Sequence, residues 1–204
     1  MLTRRDLIAA AALAAPLPVL AAARPVVTIL GDSITAGFGL PASAAFPARL
    51  QAELARLGKT ATIRAAGVSG DTTAGGLARV DFSVQRDTRL CIVALGGNDL
   101  LQGLKPSATR ANLEAIVRRL KARKIKVLLA GLAAPPAIGG GYAREFNAVF
   151  PAVAKAQGVA FYPNLLAGVA GLTRLNQRDG IHPNAQGAAL IAQRLAPVVA
   201  RALG

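Results

Sequence analysis

Leu90-Cys91-Ile92-Val93-Ala94-Leu95-Gly96-Gly97-Asn98-Asp99 joins six uninterrupted apolar residues to a polar, glycine-rich tetrapeptide. An apolar run this short, ended by two glycines and lacking period-two alternation, reads as a strand buried on both faces. Strands buried on both faces belong to parallel sheets covered by helices, because parallel neighbours need crossover connections. Similar runs recur at Val26 to Leu30, Thr62 to Ala66, Lys126 to Leu132 and Val159 to Tyr162. Between them, Ser43 to Leu57, Ser107 to Arg123 and Tyr142 to Ala156 carry apolar residues at three- and four-residue spacing, and Asn184 to Leu203 supplies a closing helix. Gly58 and Gly158 are placed to end two of these helices. The pattern predicts an α/β fold, a single-domain three-layer α/β/α sandwich on a five-stranded parallel sheet.

In open sheets of this kind ligands gather at the carboxyl ends of the strands. Three successive runs deliver polar or glycine-rich segments there: Gly31-Asp32-Ser33, Gly67 to Thr73, and Gly96-Gly97-Asn98-Asp99. Ser33 directly follows an apolar strand, which brings its hydroxyl to the ligand edge among backbone N–H groups. A serine hydroxyl attacks only when a base takes its proton and a third group holds that base in the correct tautomer. His182 is the single histidine, and in Asp179-Gly180-Ile181-His182-Pro183 an aspartate three residues earlier can fold back onto the imidazole. Taken singly, a lone histidine is more often a packed structural residue, and a serine in such a turn more often a cap. The G-x-S-x-G elbow is incomplete: Gly31 stands two residues before the serine, but Thr35 takes the place of the second glycine.

Taken in order, Ile29-Leu30-Gly31-Asp32-Ser33-Ile34-Thr35-Ala36-Gly37, Val68-Ser69-Gly70-Asp71-Thr72, Leu95-Gly96-Gly97-Asn98-Asp99 and Asp179-Gly180-Ile181-His182-Pro183-Asn184 resemble the four motif blocks of the SGNH (GDSL-type) hydrolases. Gly76-Leu77-Ala78-Arg79 and Asn98-Asp99-Leu100-Leu101-Gln102-Gly103 resemble its thioesterase I and arylesterase branch. The resemblance spans nearly all of residues 24–204 and implies the flavodoxin-like SGNH hydrolase fold. It also implies catalysis by Ser33, Asp179 and His182, an oxyanion hole formed by the Ser33 and Gly70 backbone N–H groups and the Asn98 amide, and no cofactor. Asp32 and Asp99 read as acceptors that fasten loops. In that branch the segment after the fourth strand helps wall the acyl groove. Here Ala133 to Tyr142 is small and glycine-rich, so short-chain or aryl esters are expected ahead of long acyl chains. A sugar O-deacetylase on the same residues is the alternative substrate reading. A non-catalytic nucleotide- or ligand-binding α/β protein is the alternative of another class. For nucleotides the sequence offers only Gly37-Phe38-Gly39-Leu40-Pro41-Ala42, seven residues beyond its strand and holding a proline.

Composition narrows the remaining classes. With 204 residues, 53% of them hydrophobic, the chain can bury one substantial core without staples. Cys91, the single cysteine, lies inside an apolar run and reads as a core residue, and no intrachain disulfide can form. One histidine and one cysteine do not supply the usual zinc ligand sets, so no metal is expected. Thr3-Arg4-Arg5-Asp6-Leu7-Ile8, an Ala/Leu-rich stretch to Leu20 and Ala21-Ala22-Ala23 read as a twin-arginine export signal over residues 1–23, cleaved near Ala23 to leave a hydrolase domain over 24–204. Pro16, Pro18 and the short apolar length argue against a spanning helix, which needs about 20 apolar residues. The net charge is +14, and 22 basic against 9 acidic residues remain beyond residue 23. It is densest in Arg118-Arg119-Leu120-Lys121-Ala122-Arg123-Lys124, which on a helix forms a solvated face. No aromatic residue interleaves there to stack bases, so nucleic acid is not an expected partner. Weak attraction to anionic surfaces is the expected consequence of the charge.

Overall fold

The computed structural model describes residues 24–204; the export-signal reading of residues 1–23 lies outside the described residues. Strands β1 (Val26–Gly31), β2 (Thr62–Gly67), β3 (Thr88–Ala94), β4 (Lys126–Ala130) and β5 (Ala160–Tyr162) form one all-parallel sheet in the order β2-β1-β3-β4-β5. Among the described residues seven α-helices accompany them: α1 (Ser33–Ala36), α2 (Phe46–Arg56), α3 (Thr73–Ser83), α4 (Gly97–Leu101), α5 (Pro106–Ala122), α6 (Gly140–Gln157) and α7 (Ala185–Leu203). Helices α2 and α7 pack together on one face of the sheet, and α3, α5 and α6 cover the other. The central strands β1, β3 and β4 are buried along nearly their whole length, as their continuous apolar runs require. The buried Thr28 and Thr88 hydroxyls satisfy one another at 2.8 Å across the β1/β3 pair. Edge strand β2 is half exposed, and its Arg64 pairs with Asp87 at 2.7 Å.

Three features depart from the expected element boundaries. The helix expected over Ser43 to Leu57 is split into a 3-10 turn at Ala42–Ala44 and α2, with Ala45 extended between them. Pro47 dictates this, because proline fits a helix only in its first turn. The fourth strand stops at Ala130, two residues short of the expected end. Gly131 there bonds to Tyr162 and Leu165, and a Cβ on it would lie 2.4 Å from the Pro163 carbonyl oxygen. Helix α3 is not among the helices expected above, and it carries Gly75-Gly76 in its first turn although glycine disfavours helix. The glycines instead permit close packing: a Cβ on Gly76 would meet a Leu95 methyl at 2.2 Å, and one on Gly75 would meet Asp71 Oδ1 at 2.7 Å. Gly158 caps α6 at φ 62° and Gly58 follows α2 at φ 72°, as expected.

The strand order reverses direction between β1 and β3. The crevice this opens at their carboxyl ends is where a doubly wound sheet binds its ligand, and Ser33 and Asn98 both follow those strands directly.

Candidate active site

Ser33 opens the four-residue helix α1, whose N-cap is Asp32. The Asp32 Oδ1 accepts the Ile34 N–H at 3.1 Å. Burial pushes this carboxyl up from 3.8 to about 6, against the lowering effect of the Ile34 hydrogen bond and of nearby His182. Gly31, before it, is enforced sterically, since a Cβ would fall 2.4 Å from Thr35 Oγ1.

His182 lies in a loop that an antiparallel bridge between Asn176 and Pro183 closes, ahead of α7. Its Nε2 is 2.9 Å from Ser33 Oγ and its Nδ1 is 2.7 Å from Asp179 Oδ2. Asp179 Oδ1 also accepts the backbone N–H groups of Ile181, at 2.9 Å, and His182, at 3.0 Å. The His182 backbone bond first, then the bond to its ring, hold the Asp179 carboxyl down at about 2. It is therefore an anion throughout the range in which an imidazole titrates, and an anion beside Nδ1 selects the tautomer that leaves Nε2 free to accept from the serine. Helix α7 begins at the Asn184 N-cap, whose Oδ1 accepts from Gln186 and Gly187 at 3.0 Å and whose Nδ2 reaches Arg174. This anchors the histidine loop from below.

The structure brings Ser33, Gly70 and Asn98 to the lining of one cavity of about 360 Å³, with His182 at its side. Asp179 stands behind the histidine. Gly70 has φ 85°, and a Cβ on it would meet no atom of the chain within 4 Å. Left-handed backbone, not crowding by the chain itself, reserves this position for glycine. The Asn98 Nδ2 donates to the Asp71 carbonyl at 2.8 Å, which leaves its second amide hydrogen for a ligand. Asp99, almost fully buried, accepts from the Thr73 N–H at 2.8 Å, the Thr73 hydroxyl at 2.5 Å and the Thr109 hydroxyl at 3.0 Å. It fastens α4 to α3 and α5, and Asp32 fastens α1, so both aspartates hold loops as expected.

The cavity walls are largely apolar. Ile34, Leu100, Leu132 and Leu166 line its depth, and Phe38, Leu101 and Ile181 form a mouth in which each is about half exposed. Of the segment expected to wall the groove, Ala133 alone among the described residues touches the cavity; Tyr142 instead donates its hydroxyl to the Leu104 carbonyl at 2.8 Å. The opposite wall, Asn164, Leu166 and Ala170, comes from the loop after β5, which carries no motif. Phe38 also escapes a sequence reading. Its ring lies 4.5 Å from that of His182, and Gln177 ties the two loops by donating to the Phe38 and Pro183 carbonyls at 2.7 and 3.0 Å. The nucleotide-like glycines fare differently: Gly37 caps α1 and Gly39 turns against Gln177, so neither opens a long helix that could cradle a phosphate. No group of three His, Cys, Asp or Glu side chains among the described residues is arranged to hold a metal ion.

Comparison with known proteins places the site among relatives. The model of the GDSL-like lipase/acylhydrolase family matches residues 29–190. The chain is 40% identical over 163 residues to the esterase TesA of Pseudomonas aeruginosa, covering 79% of this chain and 81% of that protein. To thioesterase 1/protease 1/lysophospholipase L1 of Escherichia coli it is 38% identical over 177 residues, covering 86% and 84% respectively. The crystal structure of AlinE4, an SGNH-hydrolase family esterase, superposes with a TM-score of 0.74 at 43% identity, over 89% of this chain and 97% of that one. With a match that runs from β1 into α7, across every segment that builds the cavity, the chain belongs to the GDSL-like lipase/acylhydrolase family and is an ester-hydrolysing enzyme of the SGNH type.

Proposed function

We propose that this enzyme cleaves small acyl esters or thioesters through an acyl-enzyme on Ser33. The observation that carries the reading is the unbroken relay from Asp179 Oδ2 to His182 to Ser33 Oγ, with 2.7 and 2.9 Å contacts, at the side of an apolar cavity. In this mechanism His182 Nε2 takes the Ser33 proton as Oγ attacks the acyl carbon, and Asp179 stabilises the imidazolium that forms. The Ser33 and Gly70 N–H groups and the Asn98 amide receive the tetrahedral oxyanion. The imidazolium returns the proton to the departing alkoxide or thiolate. A water deprotonated by His182 then attacks the acyl carbon, and Ser33 leaves with that proton.

The apolar lining favours a hydrocarbon acyl or aryl group over a sugar, whose hydroxyls would find few partners on it. The volume lies near the small end of the usual ligand range of about 300–1,000 Å³, which supports short-chain or aryl esters as first substrates. Relatives named esterase, thioesterase, lysophospholipase and arylesterase support the same bond class. Export rests on the Arg4-Arg5 signal alone, and Edman sequencing of the secreted protein should begin near Arg24. No helix among the described residues is long and apolar enough to cross a membrane.

The test is a fluorophosphonate adduct mapped by mass spectrometry, together with initial rates on p-nitrophenyl esters of graded length, acyl-CoA and acetylated sugars. The adduct should fall on Ser33, and Ser33→Ala should lower kcat by on the order of 10⁴-fold or more while the protein stays folded. An active, folded Ser33→Ala enzyme would end this reading.

A further inference from the structure

The three groups proposed to receive the oxyanion come from three separate segments: Ser33 after β1, Gly70 after β2, Asn98 after β3. Nothing in the relay through His182 holds them at a common distance. The joint between them is Asp71. Its carbonyl accepts the Asn98 Nδ2 at 2.8 Å, and its neighbour is Gly70. Its carboxylate Oδ2 accepts the Arg79 Nε at 2.5 Å. Arg79 reaches back from α3 to donate through Nη2 to the Gly31 carbonyl at 2.8 Å, and through Nη1 to the Ala66 carbonyl at 2.8 Å and the Ser83 hydroxyl at 3.0 Å. One guanidinium thus joins the end of β1 two residues before Ser33, the end of β2, and the loop bearing Gly70. Through Asp71 it also reaches Asn98. The Arg79 and Asp71 side chains are only 17% and 16% exposed, so solvent screens the pair little. Glycine at position 75 leaves room for it, since a Cβ there would approach Asp71 Oδ1 to 2.7 Å.

We propose that Arg79, acting through Asp71, is the positioning residue of the oxyanion hole, holding the Gly70 and Asn98 donors in register with Ser33 without touching substrate; this rests on the serine-hydrolase reading above. The planar fork is needed because one group must serve a carboxylate and two strand-end carbonyls in fixed directions, which a lysine ammonium cannot do. A displacement of about 1 Å in such donors costs on the order of 10²-fold in rate. Because the oxyanion exists only in the transition state, the loss falls on kcat and not on KM.

The experiment compares Arg79→Met, Arg79→Lys and Asp71→Asn, alone and with Asn98→Ala, on a short p-nitrophenyl ester, with rates divided by the sites that a fluorophosphonate titrates. Arg64→Met, which breaks the remote Arg64–Asp87 pair, is the control expected to keep basal activity. We expect Arg79→Met to lower kcat by about 10- to 100-fold with KM within about threefold, and Arg79→Lys to restore little. Asp71→Asn keeps the backbone carbonyl and should lose less. With Asn98→Ala already present the Arg79 substitution should matter clearly less than alone, because one donor it aligns is gone. Losses that multiply in full, a change confined to KM, or an unchanged kcat in titrated Arg79→Met enzyme would overturn the proposal. If Arg79→Met yields no titratable sites, Asp71→Asn decides by the same double-variant criterion. Labelling that misses Ser33 overturns the serine-hydrolase reading instead, and the two failures are separately visible.

Discussion

At the scale of single residues, the site shifts the proton affinities of two aspartates in opposite directions. Asp179 lies near the surface and is held low by hydrogen bonds to His182, whereas Asp32 is buried and pushed up to about 6 by desolvation. For Asp32 the folded protein binds its proton more tightly than the unfolded chain does. Its stabilising contribution is present below the ordinary carboxylate value of 3.8 and is lost as pH rises to about 6. The full span amounts to about 3 kcal/mol at about 1.36 kcal/mol per pH unit. Asp32→Asn keeps an oxygen to accept the Ile34 N–H and removes the titration. Urea unfolding of both proteins between pH 4 and pH 7 should show the stability of the natural enzyme falling relative to the variant by roughly this amount. Parallel curves would mean that Asp32 ionises as freely folded as unfolded.

Among the elements, α6 serves the cavity as well as the core. Phe146 and Phe150 bury themselves in edge-on contact on its inner side. Asn147, on the same helix, accepts the Ala134 N–H at 2.7 Å and donates to the Ala134 carbonyl at 3.3 Å. That pair of bonds pins the stretch holding Leu132 and Ala133, which form one wall of the cavity. Asn147→Ala should therefore loosen the wall while sparing the relay. The ratio of kcat/KM for a hexanoyl over an acetyl p-nitrophenyl ester should change by about 3- to 10-fold, since a methylene in an apolar pocket is worth about 1 kcal/mol or more. The rate of fluorophosphonate labelling of Ser33 should stay unchanged. A chain-length profile identical to that of the natural enzyme would detach this wall from specificity.

Across the whole molecule, one core runs through both faces of the sheet, and Cys91 lies at its centre on β3 with no exposure. Burial pushes its thiol up to about 12, so in the folded protein it is neither exposed nor ionised. Labelling by a disulfide reagent consequently needs cooperative opening of the sheet. The urea dependence of the Cys91 labelling rate should match the slope of global unfolding measured by circular dichroism. A shallower slope would reveal a local opening of β3 that this packing does not provide. The basic charge is dispersed by comparison. Arg110 and Arg118 share Glu114 along the solvated side of α5, whereas Arg119 and Arg123 share Asp81 of α3 and so tie the two helices together instead of only facing solvent.

What the residues determine by themselves is whatever depends on local pattern. Continuous apolar runs specify doubly buried strands, glycine after strands specifies tight turns, and Asp179-x-x-His182 specifies a carboxylate one turn from its imidazole. The five strands and most of their helical covering, α3 excepted, are legible on those grounds, whereas Ser33, Gly70, Asn98 and His182 are legible as one site only through the resemblance of four motif blocks taken together. What only the tertiary structure decides is everything that depends on distance across the fold. Phe38 meets His182 from 144 positions away, Asn164 and Leu166 close a wall from a loop without motif, and Arg79, which the sequence shows only as part of a motif, bonds to carbonyls of two strands. The physical reason is that backbone carbonyls and apolar surfaces are the same at every position. A side chain that acts through them leaves no mark of that role in the sequence, and its partner exists only once the chain has folded.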